Sequence, residues 1–255
     1  MDGNTRVPAL TRCMAILSYL EQHKKCSVSE VISALKLPRS SGYVLVDEML
    51  KQGLINQDKY GNLQLWMRLI ELGSCASRNI DVRDKVVPAL NSLLDSVECL
   101  AVHYGIMERD RAYYVIKLES PRAGMLIKSR EGLPISLVHA GLGKCLLAYQ
   151  EPELRERLLA TLDYTPVSPT SITSANALRS ELAKIRLQGW AFDNSEGEAD
   201  IRCVAVPVFN NHHELLGAIS IVGSVLKFND AAIEDIVEKT KQCARNIEYS
   251  LNSYI

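Results

Sequence analysis

The sequence predicts an α+β fold made of two parts. In the first part, short segments carry apolar residues at helical spacing. In the second part, short apolar runs are separated by polar turns, as strands are. Further helical segments stand between these runs, which predicts one mixed sheet with helices packed against it. The chain has 255 residues, enough for two domains of ordinary size.

The bulk composition is that of an ordinary globular protein, with 47% hydrophobic and 23% charged residues. No apolar run approaches the roughly 18–20 residues of a membrane span, and the opening segment lacks the apolar core of a secretion signal. We therefore expect a cytoplasmic protein without membrane contacts. Seven scattered cysteines without a C-x-x-C pair indicate reduced thiols and argue against a disulfide framework or a zinc cluster.

Three short helices are predicted at the start of the chain. Residues 9–22 carry apolar side chains at helical spacing. Ser27 and Glu30 form an S-x-x-E capping box, so a second helix should begin directly after the serine. Pro38 ends that helix and can also open the third, which we expect to run to about Lys51.

A β-hairpin is predicted after the third helix. Leu54 and Ile55 precede a polar turn at 58–62, and residues 63–66 form a second short apolar run. Three helices followed by such a hairpin are typical of a winged helix-turn-helix.

The boundary between the two parts is predicted from the end of this pattern. Leucines at helical spacing continue to about Arg78 and predict a connecting linker helix, which residues 79–81 separate from another helix at 82–97. We assign residues 1–73 to the winged helix-turn-helix domain. Residues 74–255 are assigned to a second domain with the linker helix at its start.

The second domain is predicted from its apolar runs. Strands are expected at 99–106, 112–118 and 124–128, with the first two paired around the polar turn at 107–111. The remaining elements are helices at 138–149, 152–162 and 175–188, strands at 189–193, 203–209 and 215–223, and a final helix from Asn229 to about Ser253.

The outward face of the third helix predicts contact with double-stranded DNA, because such a short helix is not buried on all sides and fits the major groove. The net charge of the predicted DNA-binding domain supports contact with DNA only weakly. Residues 1–73 hold nine Lys and Arg against seven Asp and Glu, in a chain of net charge −1. The expected contacts come from the helix and the hairpin tip: Arg39, Ser40, Ser41, Tyr43, Val44, Asp47, Lys59 and Tyr60.

Two other classes of function remain open on the residues alone. The small basic excess leaves an oligomeric ligand-sensing adaptor that does not bind DNA. His139, Asp193 and Cys203 are residue types of a cysteine-dependent enzyme, although nothing in the sequence places them within hydrogen-bond reach. We predict no cofactor and no metal. The GLGK stretch is too short for a phosphate-binding loop, and adjacent side chains at 212–214 point apart in a turn.

Four stretches, in this order, resemble the IclR family of bacterial transcriptional regulators. They are SVSEVISALKLPRSSGYVLVDEMLKQGLI (27–55), HAGLGKCLLA (139–148), LAKIRLQGWAFDN (182–194), and IRCVAVPVFN with LLGAISIVG (201–223). The resemblance implies a winged-helix DNA-binding domain, a linker helix and a GAF-like effector-binding domain. It also implies a repressor or activator, not an enzyme, that forms dimers or tetramers on an inverted-repeat operator.

The resemblance further implies a site for a small metabolite, an organic or sugar acid, in the second domain. Gly141 and Leu142 offer backbone N–H groups at a helix start, where a carboxylate is favoured. The other pocket residues follow from the family alone: Asp193, Cys203, Ser220 and, as an apolar wall, Met125.

Two departures from the family pattern concern specificity. Val44 stands where the family usually has arginine or another polar residue, which removes a possible contact with phosphate or guanine. Val222 stands where some members have a second serine in the pocket. We therefore expect that neither the operator sequence nor the effector can be transferred from relatives.

Overall fold

The computed structural model describes residues 6–23, 25–78, 82–121, 124–125 and 127–252. The chain divides into two compact units, residues 1–80 and 81–255. The division lies after the linker helix, which therefore belongs to the first unit. The predicted break at 79–81 lies outside the described residues.

The first unit combines helices with a small antiparallel sheet. The helices are α1 (Pro8–Gln22), α2 (Val28–Ala34), α3 (Arg39–Lys51) and α4 (Met67–Arg78), and the strands are β1 (Cys26–Ser27), β2 (Ile55–Gln57) and β3 (Asn62–Leu65). The strand order is β1-β3-β2. The predicted hairpin is therefore present, whereas β1 is too short for its pattern to be recognised in the sequence.

Local side-chain chemistry explains where these helices begin and end. The predicted capping box is formed: the Ser27 hydroxyl accepts from the Glu30 N–H, and the Glu30 carboxylate accepts from the Ser27 N–H at 2.6 Å. Pro38 is the residue before α3, whose first helical residue is Arg39. Gly53 follows the helix with φ of +68°, a left-handed conformation that glycine adopts without strain.

Close packing of α2 against α3 explains a glycine inside a helix. Gly42, Val46 and Met49 form the buried side of α3. A Cβ atom on Gly42 would lie only 3.2 Å from Cγ1 of Ile32 on α2. The absence of a side chain at this position therefore allows the two helices to approach each other.

The second unit is a six-stranded sheet with helices on both faces. Its elements are α5 (Arg83–Ser96), β4 (Ala101–Glu108), β5 (Arg111–Glu119), β6 (Pro134–Ile135), α6 (Gly141–Ala148), α7 (Pro152–Leu159), α8 (Ala175–Gln188), β7 (Ala191–Asn194), β8 (Ile201–Phe209), β9 (Leu215–Ser224) and α9 (Ile233–Asn252). The strand order is β6-β5-β4-β9-β8-β7.

The α+β prediction is confirmed, but three details differ. Each described pair of neighbouring strands is antiparallel, so the sheet is not mixed. The described residues of 124–128 form no strand, and the strand beside β5 is β6. Helix α9 begins at Ile233, after a turn in which the Asn229 side chain accepts from the Ala232 N–H, rather than at Asn229 itself.

Alternation along the strands gives the sheet two different faces. On one face, Val102, Tyr104 and Ile221 belong to the core that α5 and α9 complete. On the other face, the small side chains of Ala205 and Ala218 lie in the core that contains α6. Every residue of α6 is buried, so this helix is enclosed by the second unit.

Candidate functional site

A cavity of about 190 Å³ lies at the first turn of α6. The α6 face of the sheet forms its floor, and residues 127–129, 136–142 and 197–201 contribute to its walls. Five of the residues expected to bind an effector line it: Gly141, Leu142, Asp193, Cys203 and Ser220.

Strand register explains why polar side chains meet in this cavity. Ser220 on β9 lies between His103 on β4 and Ala205 on β8. These three residues share a face because pairing partners point to the same side of a sheet. Alanine lies in the core around α6, whereas the serine and the histidine line the cavity.

The beginning of α6 offers backbone donors to the cavity. Ala140 precedes the helix and has no side chain that could cap it, and the Leu142 N–H of the first turn donates to the Cys203 sulfur. A Cβ atom on Gly141 would lie 3.2 Å from the Cys203 sulfur and 3.3 Å from Cβ of Asp193. Glycine thus lets the helix terminus, with its partial positive charge, approach the floor of the cavity.

Asp193 is a buried carboxyl group at the same end of the cavity. Burial raises its pKa to about 7, and the nearby Glu196 carboxylate acts in the same direction. The N–H groups of Glu196 and Gly197 and the charge of Lys144 oppose this rise. Asp193 is therefore partly protonated near neutral pH and can both donate and accept a hydrogen bond.

A buried ion pair holds the loop after β7 against α6. Lys144 of α6 is fully buried and donates to the Phe192 carbonyl at 2.7 Å and to the Glu196 carboxylate. The Glu196 N–H in turn donates to Asp193 at 2.8 Å. This network fixes the position of Asp193 relative to the first turn of α6.

His103 links two serines at the other end of the cavity. Its Nδ1 lies 3.2 Å from the Ser220 hydroxyl, and its Nε2 lies 2.8 Å from the Ser129 hydroxyl. Burial, with a smaller effect of Lys117, lowers the His103 pKa to about 3. The ring is therefore neutral at physiological pH and has one donor and one acceptor nitrogen.

His139 contributes a polar atom whose hydrogen-bonding capacity is unused. Its side chain lines the cavity and is only 7% exposed, and its Nε2 has no hydrogen-bond partner within the described part of the chain. Buried polar atoms are rarely left in this state in proteins without a ligand or water to satisfy them. His139 is therefore a candidate ligand contact.

Sequence reasoning missed His103 and Ser129 and considered His139 only for catalysis. One signal for His103 was available, since it is a polar residue inside the apolar run CLAVHYGI, where alternation places it on one face. Ser129 lies in a segment without regular secondary structure, so periodicity gave no information about it.

The expected position of Met125 in this cavity is wrong. Its side chain is exposed and lines a separate groove together with Leu94 and Leu226. The prediction came from the family resemblance alone, and the described residues of 124–128 form no strand that would bring this side chain to the sheet. Ile127, Ile201 and Val222 supply apolar lining of the cavity instead.

The cavity brings together the three residues considered for a cysteine-dependent enzyme, His139, Asp193 and Cys203. Burial, with a further contribution from Asp193, raises the Cys203 pKa to about 12. A nucleophilic cysteine needs a lowered pKa because the thiolate is the reactive form. The environment of Cys203 therefore suppresses the chemistry that this hypothesis requires.

The described residues contain no group of three or more His, Cys, Asp or Glu side chains suited to hold a metal ion. Within the same described residues, no helix is both long enough and apolar enough to span a membrane.

The outer side of α3 is a second candidate site. Tyr43 and Val44 are 50% and 70% exposed, although both are large hydrophobic side chains. Asp47 forms an ion pair of 2.6 Å with Lys51 one turn later. The six α3 residues expected to contact DNA are all exposed: Arg39, Ser40, Ser41, Tyr43, Val44 and Asp47.

The hairpin tip is shaped by one aspartate. The Asp58 carboxylate accepts from the N–H groups of Tyr60 and Asn62 at 2.8 and 2.9 Å. Lys59 and Tyr60 are exposed at this tip, with the lysine Nζ 5.0 Å from the centre of the tyrosine ring. The turn thus presents a cation and a phenol to solvent in a defined conformation.

Comparisons with known proteins identify related chains. Residues 75–249 match the family model described as bacterial transcriptional regulator IclR, C-terminal. The chain is 40% identical to the uncharacterized HTH-type transcriptional regulator RhmR of Escherichia coli K12, over 97% of this chain and 94% of that protein.

Two solved structures are similar over nearly the whole chain. The Thermotoga maritima IclR structure has a TM-score of 0.71 and 27% identity, covering 96% of this chain and 98% of that one. An IclR homolog from Microbacterium hydrocarbonoxydans, complexed with 4-hydroxybenzoate, has a TM-score of 0.78 and 25% identity, covering 95% and 98%.

Proposed function

This chain belongs to the IclR family of bacterial transcriptional regulators, and we propose that it binds operator DNA through α3 under the control of a small carboxylate. The carboxylate would occupy the cavity beside α6. The observation that carries the proposal is the composition of that cavity. A helix N-terminus that Ala140 does not cap and the Nε2 of His139, which has no partner among the described residues, both belong to the lining of this cavity.

The chemistry of the cavity supports an anionic ligand. Backbone N–H groups at a helix N-terminus favour a carboxylate, and the partly protonated Asp193 reduces the charge repulsion that an ionised aspartate would cause. A related protein of known structure is complexed with 4-hydroxybenzoate, which is a carboxylate. An organic acid or sugar acid fits these observations.

The surface of α3 supports contacts with both DNA backbone and bases. Arg39 at the helix N-terminus would reach a phosphate or a guanine edge, and Ser40 and Ser41 would donate to phosphates. Tyr43 and Val44 would meet base edges in the major groove, where valine favours a thymine methyl group. The hairpin tip would contact the backbone nearby.

Substitution of two α3 residues tests the proposed DNA interface. Arg39→Ala and Tyr43→Ala should each weaken binding to an operator selected from random double-stranded DNA by about tenfold or more, since one good base or phosphate contact contributes about 1–3 kcal/mol. Fluorescence anisotropy over a series of salt concentrations measures this, and the slope should become shallower for Arg39→Ala.

Arg245→Ala is the matched control, because it removes an exposed arginine of α9 in the other unit. It should leave operator affinity unchanged. Unchanged affinity of both α3 variants would show that the helix is misassigned. Absence of any salt-sensitive binding to duplex DNA would instead favour a ligand-sensing adaptor.

Self-association is part of the proposed function. Helix α4 exposes Met67, Ile70 and Leu72 to solvent within the described chain, and a second copy of the chain would cover such a surface. A two-fold symmetric dimer would place its recognition helices about 34 Å apart, or a multiple of that, on an inverted repeat. A dimer or a dimer of dimers satisfies this geometry.

A further inference from the structure

We propose that residues 127–131 transmit the state of the cavity to the beginning of α5, through the ion pair between Glu131 and Arg83. This segment forms part of the cavity wall and also holds the first residue of α5. The inference rests on the proposed function, because it assumes that a ligand in the cavity controls DNA binding. It adds the residues through which that control would leave the cavity.

The first half of the segment belongs to the cavity. Ile127, Lys128 and Ser129 line it. The Ser129 hydroxyl lies 2.8 Å from Nε2 of the buried His103. The Lys128 N–H donates to the Glu198 carboxylate of another wall at 3.4 Å, which is a long hydrogen bond. A ligand that competes for either bond therefore acts directly on this half of the segment.

The second half of the segment holds α5. The Glu131 carboxylate forms an ion pair of 2.7 Å with Arg83, the first residue of that helix. Its other oxygen accepts from the Lys117 N–H of β5 at 2.9 Å. Arg83 also donates to the Val115 carbonyl of β5 at 3.1 Å. Glu131 thus joins β5 to the first turn of α5.

Arg83 stands at a position where its charge does not favour the helix itself. A cation at a helix N-terminus opposes the helix dipole, and Val82, the residue before the helix, contributes no side-chain cap. The contacts with Glu131 and with β5 therefore anchor this turn. Val86, one turn later, is fully buried and fixes α5 in the core. Loss of the ion pair would release only the beginning of the helix.

Lys117 connects the two halves of the segment. It donates its backbone N–H to Glu131 and its Nζ to the Ser129 carbonyl at 2.6 Å. One residue separates Ser129 from Glu131, so displacement of the first moves the second. Gly132, with φ of +82°, donates to the Tyr114 carbonyl at 2.7 Å and attaches the chain to β5 again. The stretch that can move therefore ends at Glu131.

The segment is suited to move because little of it is buried. It has no regular secondary structure, and Lys128, Arg130 and Glu131 are exposed. Segments with few buried contacts open at a low cost in free energy. Strand β5 and the later turns of α5 keep their positions, because both contribute buried residues to the core.

The position of α5 in the chain makes its beginning a place for control. Arg83 follows Arg78, the last residue of α4, by only five positions. Helix α4 belongs to the unit that carries α3, and α5 belongs to the unit that contains the cavity. A change at the first turn of α5 thus acts where the chain passes from one unit to the other.

A double-mutant cycle on the full chain tests the connection without any ligand. Ser129→Ala removes the hydrogen bond to His103 and so releases the cavity end of the segment. Glu131→Gln removes the ion pair, while its amide oxygen can still accept from the Lys117 N–H. Hydrogen–deuterium exchange of peptides that cover residues 83–90 measures how often the beginning of α5 opens. Fluorescence anisotropy with the selected operator duplex measures DNA affinity.

Ser129→Ala should raise amide exchange at the beginning of α5 and change operator affinity, each by about threefold or more, as expected for residues that share one network. Glu131→Gln should have the same effects. Adding Ser129→Ala to it should change nothing further, because the connection is already broken. Arg83→Gln removes the same ion pair from the other side, and it keeps the test valid if Glu131→Gln does not fold.

Glu156→Gln is the matched control. It removes another partly exposed ion pair of the second unit, in which Glu156 of α7 lies 2.7 Å from Arg179 of α8. In this background, Ser129→Ala should keep its full effects on exchange and on operator affinity.

The outcomes separate this inference from the proposed function. Equal effects of Ser129→Ala in the unsubstituted and Glu131→Gln chains would overturn the connection and leave the proposed regulator intact, as would unchanged exchange in every variant. Altered exchange with constant operator affinity would overturn the role of the segment in control. Failure of the unsubstituted chain to bind any operator would overturn the proposed function, and the exchange measurements would still decide whether the segment and α5 are connected.

Discussion

At the scale of single residues, the environment of Asp193 determines its chemistry. The carboxyl group lies among Gly141, Cys203 and the loop that begins at Glu196, with the fully buried Lys144 nearby. Desolvation raises its pKa more strongly than the N–H groups and the lysine lower it. The consequence is a proton that the folded chain holds more tightly than the unfolded chain.

This difference predicts how stability depends on pH. The folded pKa is about 7 against an ordinary value of 3.8. The contribution of Asp193 to stability is therefore fully present below pH 4 and is lost as pH rises to 7. Asp193→Asn removes this loss, since an amide does not ionise. The variant should exceed the unsubstituted chain in stability at pH 8 by a few kcal/mol, because each tenfold difference in proton affinity corresponds to about 1.4 kcal/mol.

Urea unfolding of both chains at several pH values between 4 and 8 measures this difference. The other titrating groups are the same in the two chains, so the difference reports mainly the substituted position. It should grow from pH 4 to 7 and stay constant above that. A difference that does not vary with pH would show that Asp193 is ionised throughout the range.

How well single residues could be predicted depended on whether their partners are local in sequence. Ser27 and Glu30 form their predicted capping box because the two groups are three positions apart. His103 meets Ser220 across 117 positions, a contact that no local pattern specifies. Asp193 and Cys203 were expected only through the family resemblance, not from any physical signal of their own.

At the scale of elements, α6 owes its position to glycine. A Cβ atom on Gly143 would overlap the carbonyl oxygen of Ser136, and one on Gly141 would press on Cys203. The backbone of α6 thus contacts the preceding segment directly. This contact holds the N-terminus of the helix at the cavity.

Gly143→Ala should destabilise the chain by about 3 kcal/mol, because the clash is with backbone that cannot rotate away. Gly73→Ala is the matched control. Its Cβ atom would meet nothing within 4 Å, and alanine favours a helix by roughly 0.5–1 kcal/mol over glycine. Urea denaturation, monitored by circular dichroism, compares the free energies of unfolding of the two variants. A Gly143→Ala chain as stable as the Gly73→Ala chain would contradict the close approach of α6.

Helix α4 leads to a prediction about self-association. Ile70 is 66% exposed and lies one turn from Met67, so a charge at this position should disrupt an interface formed by a second copy. Ile70→Glu should raise the dimer dissociation constant about tenfold or more in analytical ultracentrifugation. Leu187→Glu is the control, as it changes an isolated apolar side chain that is 90% exposed on α8. Equal self-association of both variants would exclude α4 from the interface.

Elements with strong periodicity were predictable, and those set by distant contacts were not. Helices α3 and α8 lie within one residue of their expected ends, since Pro38 precedes α3 while the Ser174 cap and Gly189 bound α8. The run at 124–128 has strand composition, but β6 takes the place beside β5. The antiparallel order of the whole sheet depends on connections that a local pattern does not encode.

At the scale of the whole molecule, the chain forms two compact units, residues 1–80 and 81–255. The cavity lies in the second unit and the α3 surface in the first. A ligand in the cavity can control DNA binding at α3 only if it binds two arrangements of the chain with different affinity. The sequence carries no direct signal for such a difference, which is a property of the complete assembly.

Reciprocity between the two sites is the corresponding prediction. If an organic acid bound in the cavity changes operator affinity by some factor, about 5- to 150-fold in typical cases, saturating operator DNA must change the affinity for that acid by the same factor. Anisotropy with and without acid, and calorimetry with and without DNA, measure the two factors. Ser220→Ala should shift the acid concentration needed without altering operator affinity in its absence. A factor of one in both measurements would mean that the cavity binds a ligand without controlling DNA binding.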